Sequence, residues 1–188
     1  MYCGSSLGTD ETYAAQATRL GSAIASRGFE LVYGGAKVGL MGLLADAALE
    51  GGAEVIGVIP GPLVSAEIAH PGVTTLDVVD TLHERKARMI ELADGFIAMP
   101  GGFGTLDEVF EILTWDQLGL IAKPVVFLDV NGFYTDLFAF LDKAVDAGFV
   151  RGTHRLLAQR ALTVDEALAL ATSPTPEVEQ RWIDRDRT

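Results

Sequence analysis

Short apolar runs alternate along this chain with longer segments whose apolar residues recur every three or four positions. The runs Met1–Gly4, Phe29–Tyr33, Ala53–Ile59, Val73–Val79, Gly95–Met99 and Pro124–Val130 read as strands. The segments Thr12–Arg27, Gly39–Glu50, Thr81–Ala93, Thr105–Leu118 and Tyr134–Ala147 read as helices. The strands are apolar almost throughout rather than at every second residue, the mark of a parallel sheet covered on both faces. Regular strand–helix alternation then predicts an α/β, Rossmann-like, doubly wound parallel sheet in a single domain over residues 1–188. Such sheets bind ligands at the carboxyl ends of their strands. Beyond residue 160 the pattern predicts one more short strand and two small helices, broken by Ser173-Pro174-Thr175-Pro176. The first run has almost no run-up: it is either a stub or the end of a strand that starts earlier in the natural protein.

Three of the predicted strands end in glycine-rich turns that open helices. Pro100-Gly101-Gly102-Phe103-Gly104-Thr105-Leu106-Asp107-Glu108 carries the most chemistry. Free backbone N–H groups and the positive end of the helix dipole make such a turn a phosphate site, and glycines let the backbone approach the anion. A second turn runs Tyr33-Gly34-Gly35-Ala36-Lys37-Val38-Gly39-Leu40-Met41-Gly42, and a third Gly4-Ser5-Ser6-Leu7-Gly8. The three are expected to converge on one crevice. The second nearly fits the dinucleotide fingerprint, but Ala36 interrupts it and the next strand ends Ile59-Pro60-Gly61 with no acid to hold a ribose, so NAD is not expected. The lysine-containing phosphate loop of ATPases is absent from the sequence.

Size and charge narrow the class. The 188 residues hold one cysteine, Cys3, which reads as a small buried residue in a reducing cytoplasm. The formal net charge of −12 argues against nucleic acid as a partner, and no apolar run is long enough to span a bilayer. Positive charge gathers at Arg85, Lys86 and Arg88, either as a solvated helix face or as a local counter to a small phosphorylated ligand. His70, His83 and His154 have no metal-ligand spacing, so no metal is expected.

Glu108 has two readings. Thr105 to Glu108 fits a capping box, in which Thr105 starts the helix and Glu108 reaches back to it. Alternatively Glu108 is an active-site acid beside a phosphate cradle, kept ionised by the helix dipole and suited to act as a base or to stabilise a cation. Trp115 is core or interface, and Glu67 lies in the loop after the third strand, on the ligand side.

The turn Tyr33-Gly34-Gly35…Gly39-Leu40-Met41-Gly42, the segment Glu84-Arg85-Lys86 and the stretch Pro100–Glu108 together resemble the LONELY GUY family, the cytokinin riboside 5′-monophosphate phosphoribohydrolases. The resemblance runs from Cys3-Gly4-Ser5-Ser6 to Gly132–Phe149. It implies that Arg85 and Glu108 are the catalytic pair. It implies substrate contacts from Glu67, Lys86, Gly101, Gly102, Phe103, Gly104, Thr105, Leu106, Asp107 and Thr114, with Ser5, Gly34 and Gly35 added from the other two turns. It also implies a homodimer and a small nucleoside monophosphate as substrate, with no cofactor. Family members have often been labelled lysine decarboxylases, yet no lysine stands out as a pyridoxal-phosphate anchor. The alternative on the same fold is a non-catalytic nucleotide or molybdenum-cofactor carrier, which has no need of the Arg85 and Glu108 pair.

Overall fold

A computed structural model describes residues 1–65 and 68–178. Among these residues six parallel strands form two three-stranded ladders. The first is β1 (Leu31–Tyr33), β2 (Val55–Pro60) and β3 (Thr75–Val79), paired in that order. The second is β4 (Phe96–Ala98), β5 (Val125–Leu128) and β6 (Ala158–Ala161).

Residues 1–4 lie between them. Tyr2 bridges Ala98 of β4, and the nitrogen of Met1 donates to Val32 O of β1 at 2.7 Å. The first predicted strand is thus a single bridge, and it joins the two halves of the sheet. Chain order reverses at this point, since the chain winds outward through β1–β3 on one side and β4–β6 on the other. Ligand crevices of doubly wound sheets open at such a switch point.

Helices cover both faces. Leu20 and Ile24 of α1 (Glu11–Ser26), Leu40 and Leu44 of α2 (Gly39–Glu50) and Leu168 of α8 (Val164–Ala171) pack with Leu31, Tyr33, Ile97 and Leu128 on one side. Met89 and Ile90 of α4 (Leu82–Leu92), Val109 and Ile112 of α5 (Phe103–Gln117) and Phe138 of α6 (Thr135–Asp146) pack with Val32, Phe96, Ala98 and Phe127 on the other. Successive strand residues feed opposite cores, which is why the strands are apolar at nearly every position. The edge strand β3 is the exception, with Thr75 and Val78 exposed. Two short helices, α3 (Gly61–Ser65) and α7 (Gly152–Arg155), complete the order. The tail holds β6 and α8, and residues 174–178 are not helical, so of the two small helices expected there one is present among the described residues. Within those residues no helix is long and apolar enough to cross a membrane.

The start of α5 differs from the sequence expectation. Its N-cap is Gly102 and the helix begins at Phe103, which puts Thr105 inside the first turn rather than at the cap. The same Ser/Thr-x-x-Glu pattern does cap elsewhere. Thr81 Oγ1 accepts from Glu84 N at the start of α4, and Thr163 Oγ1 accepts from Glu166 N at the start of α8. At α5 a glycine has taken the cap position, so the capping reading of Glu108 fails.

Candidate active site

Backbone hydrogen bonds draw the three glycine-rich turns together. Gly4 N donates to Pro100 O at 3.0 Å, and Leu40 N donates to Gly4 O at 3.1 Å. Gly39 has φ +59, and a β-carbon there would overlap the backbone of Ser5 and Ser6, so this position demands glycine on both grounds. Ser5 itself is exposed on the rim. The loop around residue 68 joins the same crevice: His70 N donates to Gly35 O at 2.8 Å and Lys37 N to Ile68 O at 2.8 Å. The buried His70 ring also accepts from Gly72 N on Nδ1 and meets Asp46 Oδ1 through Nε2 at 2.9 Å. His70 thereby fastens this loop to α2. Glu67 lies outside the described residues.

The turn Pro100–Gly102 leads directly into α5. The first intrahelical bond of α5 runs from Leu106 N to Gly102 O. The N–H groups of Phe103, Gly104 and Thr105 therefore have no acceptor within the helix and stand at the positive end of its dipole. Gly102, Phe103 and Gly104 are exposed, Phe103 at 95%. Thr105 is buried, its hydroxyl against Gly101.

Beside this turn, α4 and α5 face each other through charged groups. Arg85 Nη2 donates to Glu108 Oε1 at 2.7 Å, and both side chains are nearly buried. Lys86 Nζ is held by Asp107 Oδ2 at 2.9 Å and Glu111 Oε2 at 2.6 Å. Arg88 bonds Asp77 and Glu91. The basic cluster is therefore neither a bare solvated face nor a free positive patch, because each member already has a carboxylate. Glu111 escaped the sequence reading, although its position four residues after Asp107 puts both acids on one helical face.

Burial pushes the Glu108 carboxyl above its ordinary range, and the Arg85 guanidinium pulls it back. The helix dipole is thus not what sets its charge, contrary to the sequence expectation: α5 begins five residues earlier, and the dipole acts within the first turn. Lys86 moves the opposite way to an anchoring amine, its hydrogen bonds to Glu111 and Asp107 raising it above the usual lysine value. Cys3 is buried and its thiol is pushed up to about 12 by that burial, as expected of an inert core residue.

Gly34 explains the second glycine turn. A β-carbon at Gly34 would overlap Arg85 Nη2. The Gly34-Gly35 pair is therefore not half of a dinucleotide fingerprint, since Gly34 leaves room for the guanidinium that bonds Glu108. Gly34→Ala is expected to displace Arg85 and lower turnover on the order of tenfold or more, by the general-acid–base scale of such groups, with far-UV circular dichroism unchanged. Wild-type turnover in this variant would show that Arg85 is not needed where the structure holds it.

Thr114 does not join the pair. Six residues beyond Glu108, it lies on a different face of α5, where its hydroxyl bonds Phe110 O at 2.7 Å. It lines a small cavity with Leu113, Leu141 and Val150. Trp115 is half-buried against the core on the α4–α6 side. No cluster of metal-ligating side chains occurs among the described residues.

A family model described as possible lysine decarboxylase matches residues 41–171. A cytokinin riboside 5′-monophosphate phosphoribohydrolase of Arabidopsis thaliana is 45% identical over 177 residues, covering 94% of this chain and 83% of that protein. This chain belongs to the LONELY GUY family. Another member, from Oryza sativa subsp. japonica, is 44% identical over 179 residues, covering 95% of this chain and 74% of its own length. Among solved structures, the molybdenum cofactor carrier protein of Chlamydomonas reinhardtii superposes with a TM-score of 0.65 at 28% identity, over 89% of this chain and 90% of that one. The molybdenum cofactor binding protein of Rippkaea orientalis also superposes at 0.65, with 24% identity, over 89% of this chain and 91% of that one, and shares the fold. Residues 85, 86 and 101–108 of this LONELY GUY chain all fall inside the matched segment.

Proposed function

We propose that this protein hydrolyses the N-glycosidic bond of adenine-type riboside 5′-monophosphates, AMP or its N6-substituted cytokinin forms, releasing the free base and ribose 5-phosphate. The observation that carries this reading is the buried Arg85–Glu108 pair at 2.7 Å beside a helix start with three free N–H groups. A carrier would need the cradle but has no use for a buried carboxylate beside it. The relatives at 43–45% identity carry the phosphoribohydrolase name.

The chemistry follows from charge. Breaking the bond builds positive charge on the ribose ring, and a carboxylate stabilises that charge or takes a proton from the attacking water. We assign both tasks to Glu108. Arg85 holds the carboxylate in place and in its charged form, since it lowers the proton affinity that burial raises. The N–H groups of Phe103, Gly104 and Thr105, with Gly101 and Gly102 leading into them, grip the 5′-phosphate. Ser5, Gly34 and Gly35 complete the wall of the crevice. Remote phosphate binding then positions the sugar for attack. Lys86 supports this site from behind, fixing Asp107 and Glu111 of α5 to α4. Its proton is held by two carboxylates, the reverse of what an amine nucleophile requires, so the decarboxylase description finds no support in it. The single cysteine, buried, fits a reducing cytoplasm as the place of work.

The test is direct. The protein is incubated with AMP and with isopentenyladenosine monophosphate, and free base is measured. Release of adenine or isopentenyladenine with ribose 5-phosphate is the expected result, and tight binding with no release would make the protein a carrier.

We further propose a homodimer built through α5. Thr114 of this helix and its C-cap residue Leu118 face outward beside the half-buried Leu113 and Trp115, and Leu120 follows, 67% exposed. Two-fold pairing is the commonest assembly, and it would let Thr114 meet the partner's substrate. Light scattering at micromolar concentration is expected to give twice the 20.0 kDa chain mass. A monomer mass would refute the pairing.

A further inference from the structure

We propose that the Tyr134 hydroxyl is a positioning group for the 5′-phosphate site: it captures the carbonyl of Met99 and so fixes where β4 turns into the Pro100–Gly102 loop. This role rests on the phosphate-binding function proposed for that loop. Tyr134 lies outside the three glycine-rich turns, and its ring is buried.

The backbone at the end of β4 departs from regular ladder geometry. In a parallel ladder each residue donates to one residue of the neighbouring strand and accepts from the residue two positions on. Tyr2 does so: its N–H goes to Ile97 O at 3.0 Å, and its carbonyl accepts from Met99 N at 2.9 Å. The next bond of that series would run from Gly4 N to Met99 O. Instead Gly4 N donates to Pro100 O at 3.0 Å, one residue further along. Met99 O is taken by Tyr134 Oη, which donates to it at 2.6 Å. The hydroxyl therefore holds the acceptor that the regular ladder would use, and Gly4 N draws in the Pro100 carbonyl.

Tyr134 is itself firmly held. Asp129, directly after β5, accepts from Tyr134 N on Oδ1 at 2.6 Å. Its other oxygen accepts from Arg160 Nε of β6 at 2.7 Å, and its own N–H goes to Ala161 O at 2.8 Å. Asn131 and Gly132, at φ +53 and +75, fold the chain back so that residue 134 reaches the end of β4. The ring meets Phe127 and Phe133 edge-on, with centroids 5.1 and 4.9 Å away. Burial raises the phenol above its ordinary range, so the hydroxyl stays protonated and donates.

The consequence passes through Gly101 to α5. A β-carbon at Gly101 would overlap the Thr105 hydroxyl, so the loop lies directly on the first turn of the helix. Without the Tyr134 hydroxyl the buried Met99 carbonyl needs another donor, and Gly4 N is the one the ladder offers. Its return to Met99 releases Pro100 O and shifts Gly101 against Thr105. The N–H groups of residues 103–105 then move off the phosphate.

Tyr134→Phe removes the hydroxyl and keeps the ring. It is expected to lower kcat/KM for AMP about tenfold and to leave that for adenosine within about twofold, the scale of one weakened hydrogen bond to a charged group. Binding of ribose 5-phosphate, measured by calorimetry, should weaken by the same factor as kcat/KM for AMP. Phe138→Leu is the control, since Phe138 packs edge-on against the same Phe127 ring at 5.5 Å but belongs to α6. It should lower Tm while keeping the parent's preference for AMP over adenosine. Undiminished ribose 5-phosphate binding in Tyr134→Phe, an equal fall for AMP and adenosine, or the same loss of preference in Phe138→Leu overturns the role of the hydroxyl. If the parent binds ribose 5-phosphate but cleaves no AMP, the hydrolase reading falls, and weakened binding in Tyr134→Phe still upholds the hydroxyl's role. A parent that neither binds ribose 5-phosphate nor prefers AMP to adenosine overturns both.

Discussion

Glu108→Gln is expected to lower base release from AMP on the order of 100-fold or more, the scale for removing a positioned acid–base group. The fold should survive. Glutamine has the same shape, and its carbonyl can still accept from Arg85 Nη2, now at 2.7 Å from Oε1. Two effects on stability oppose each other. A neutral side chain escapes the burial cost that pushes Glu108 upward, while Arg85 loses a charged partner. A Tm change of less than about 5 °C is therefore expected. Because α5 is capped by Gly102, a structural role for Glu108 as a cap cannot account for a rate loss. Near-wild-type turnover in this variant would remove Glu108 from the mechanism.

The pH profile gives the same residue a second reading. Burial raises the carboxyl, so the reactive carboxylate is lost, as pH falls, at a higher pH than for an exposed glutamate near 4.3. Arg85 is the largest influence holding it down. In Arg85→Gln, whatever rate remains should show its acidic limb at higher pH than in the parent protein. An unmoved limb would mean that Glu108 is not the titrating group.

Removing the 5′-phosphate from the substrate is the second large effect. Adenosine is expected to be cleaved with kcat/KM lower on the order of 100-fold or more, since two lost hydrogen bonds to a charged group are worth about 1.5–3 kcal/mol each. Part of the loss should fall on kcat, because the phosphate positions the ribose as well as adding affinity. The N–H groups of Phe103, Gly104 and Thr105 are the proposed donors. They must supply much of the attraction, since Arg85, Lys86 and Arg88 are each already bonded to carboxylates. Equal kcat/KM for adenosine and AMP would show that this turn does not hold the phosphate.

The strand–helix alternation and the unbroken apolar strands determined the sheet, its parallel sense and the end at which a site must lie. These are local properties: a residue feeding one core and its neighbour feeding the other leave a trace in every strand, as at Val32 between Leu31 and Tyr33. The glycine-rich turn before α5 was legible for the same reason, since a turn that opens a helix is made by adjacent residues. What the sequence left open was decided by contacts between distant segments. Thr81–Glu84, Thr105–Glu108 and Thr163–Glu166 share one pattern, yet only the first and last are caps, because Gly102 starts α5 before Thr105 is reached. Gly34 reads as a nucleotide glycine until the fold lays Arg85, 51 positions later, across it. Arg85, Lys86 and Arg88 read as free charge until α5 and β3 supply the acids Glu108, Asp107, Glu111 and Asp77 that meet them. Charge state and clearance depend on which side chain arrives from elsewhere in the chain, and that is a property of the packed molecule.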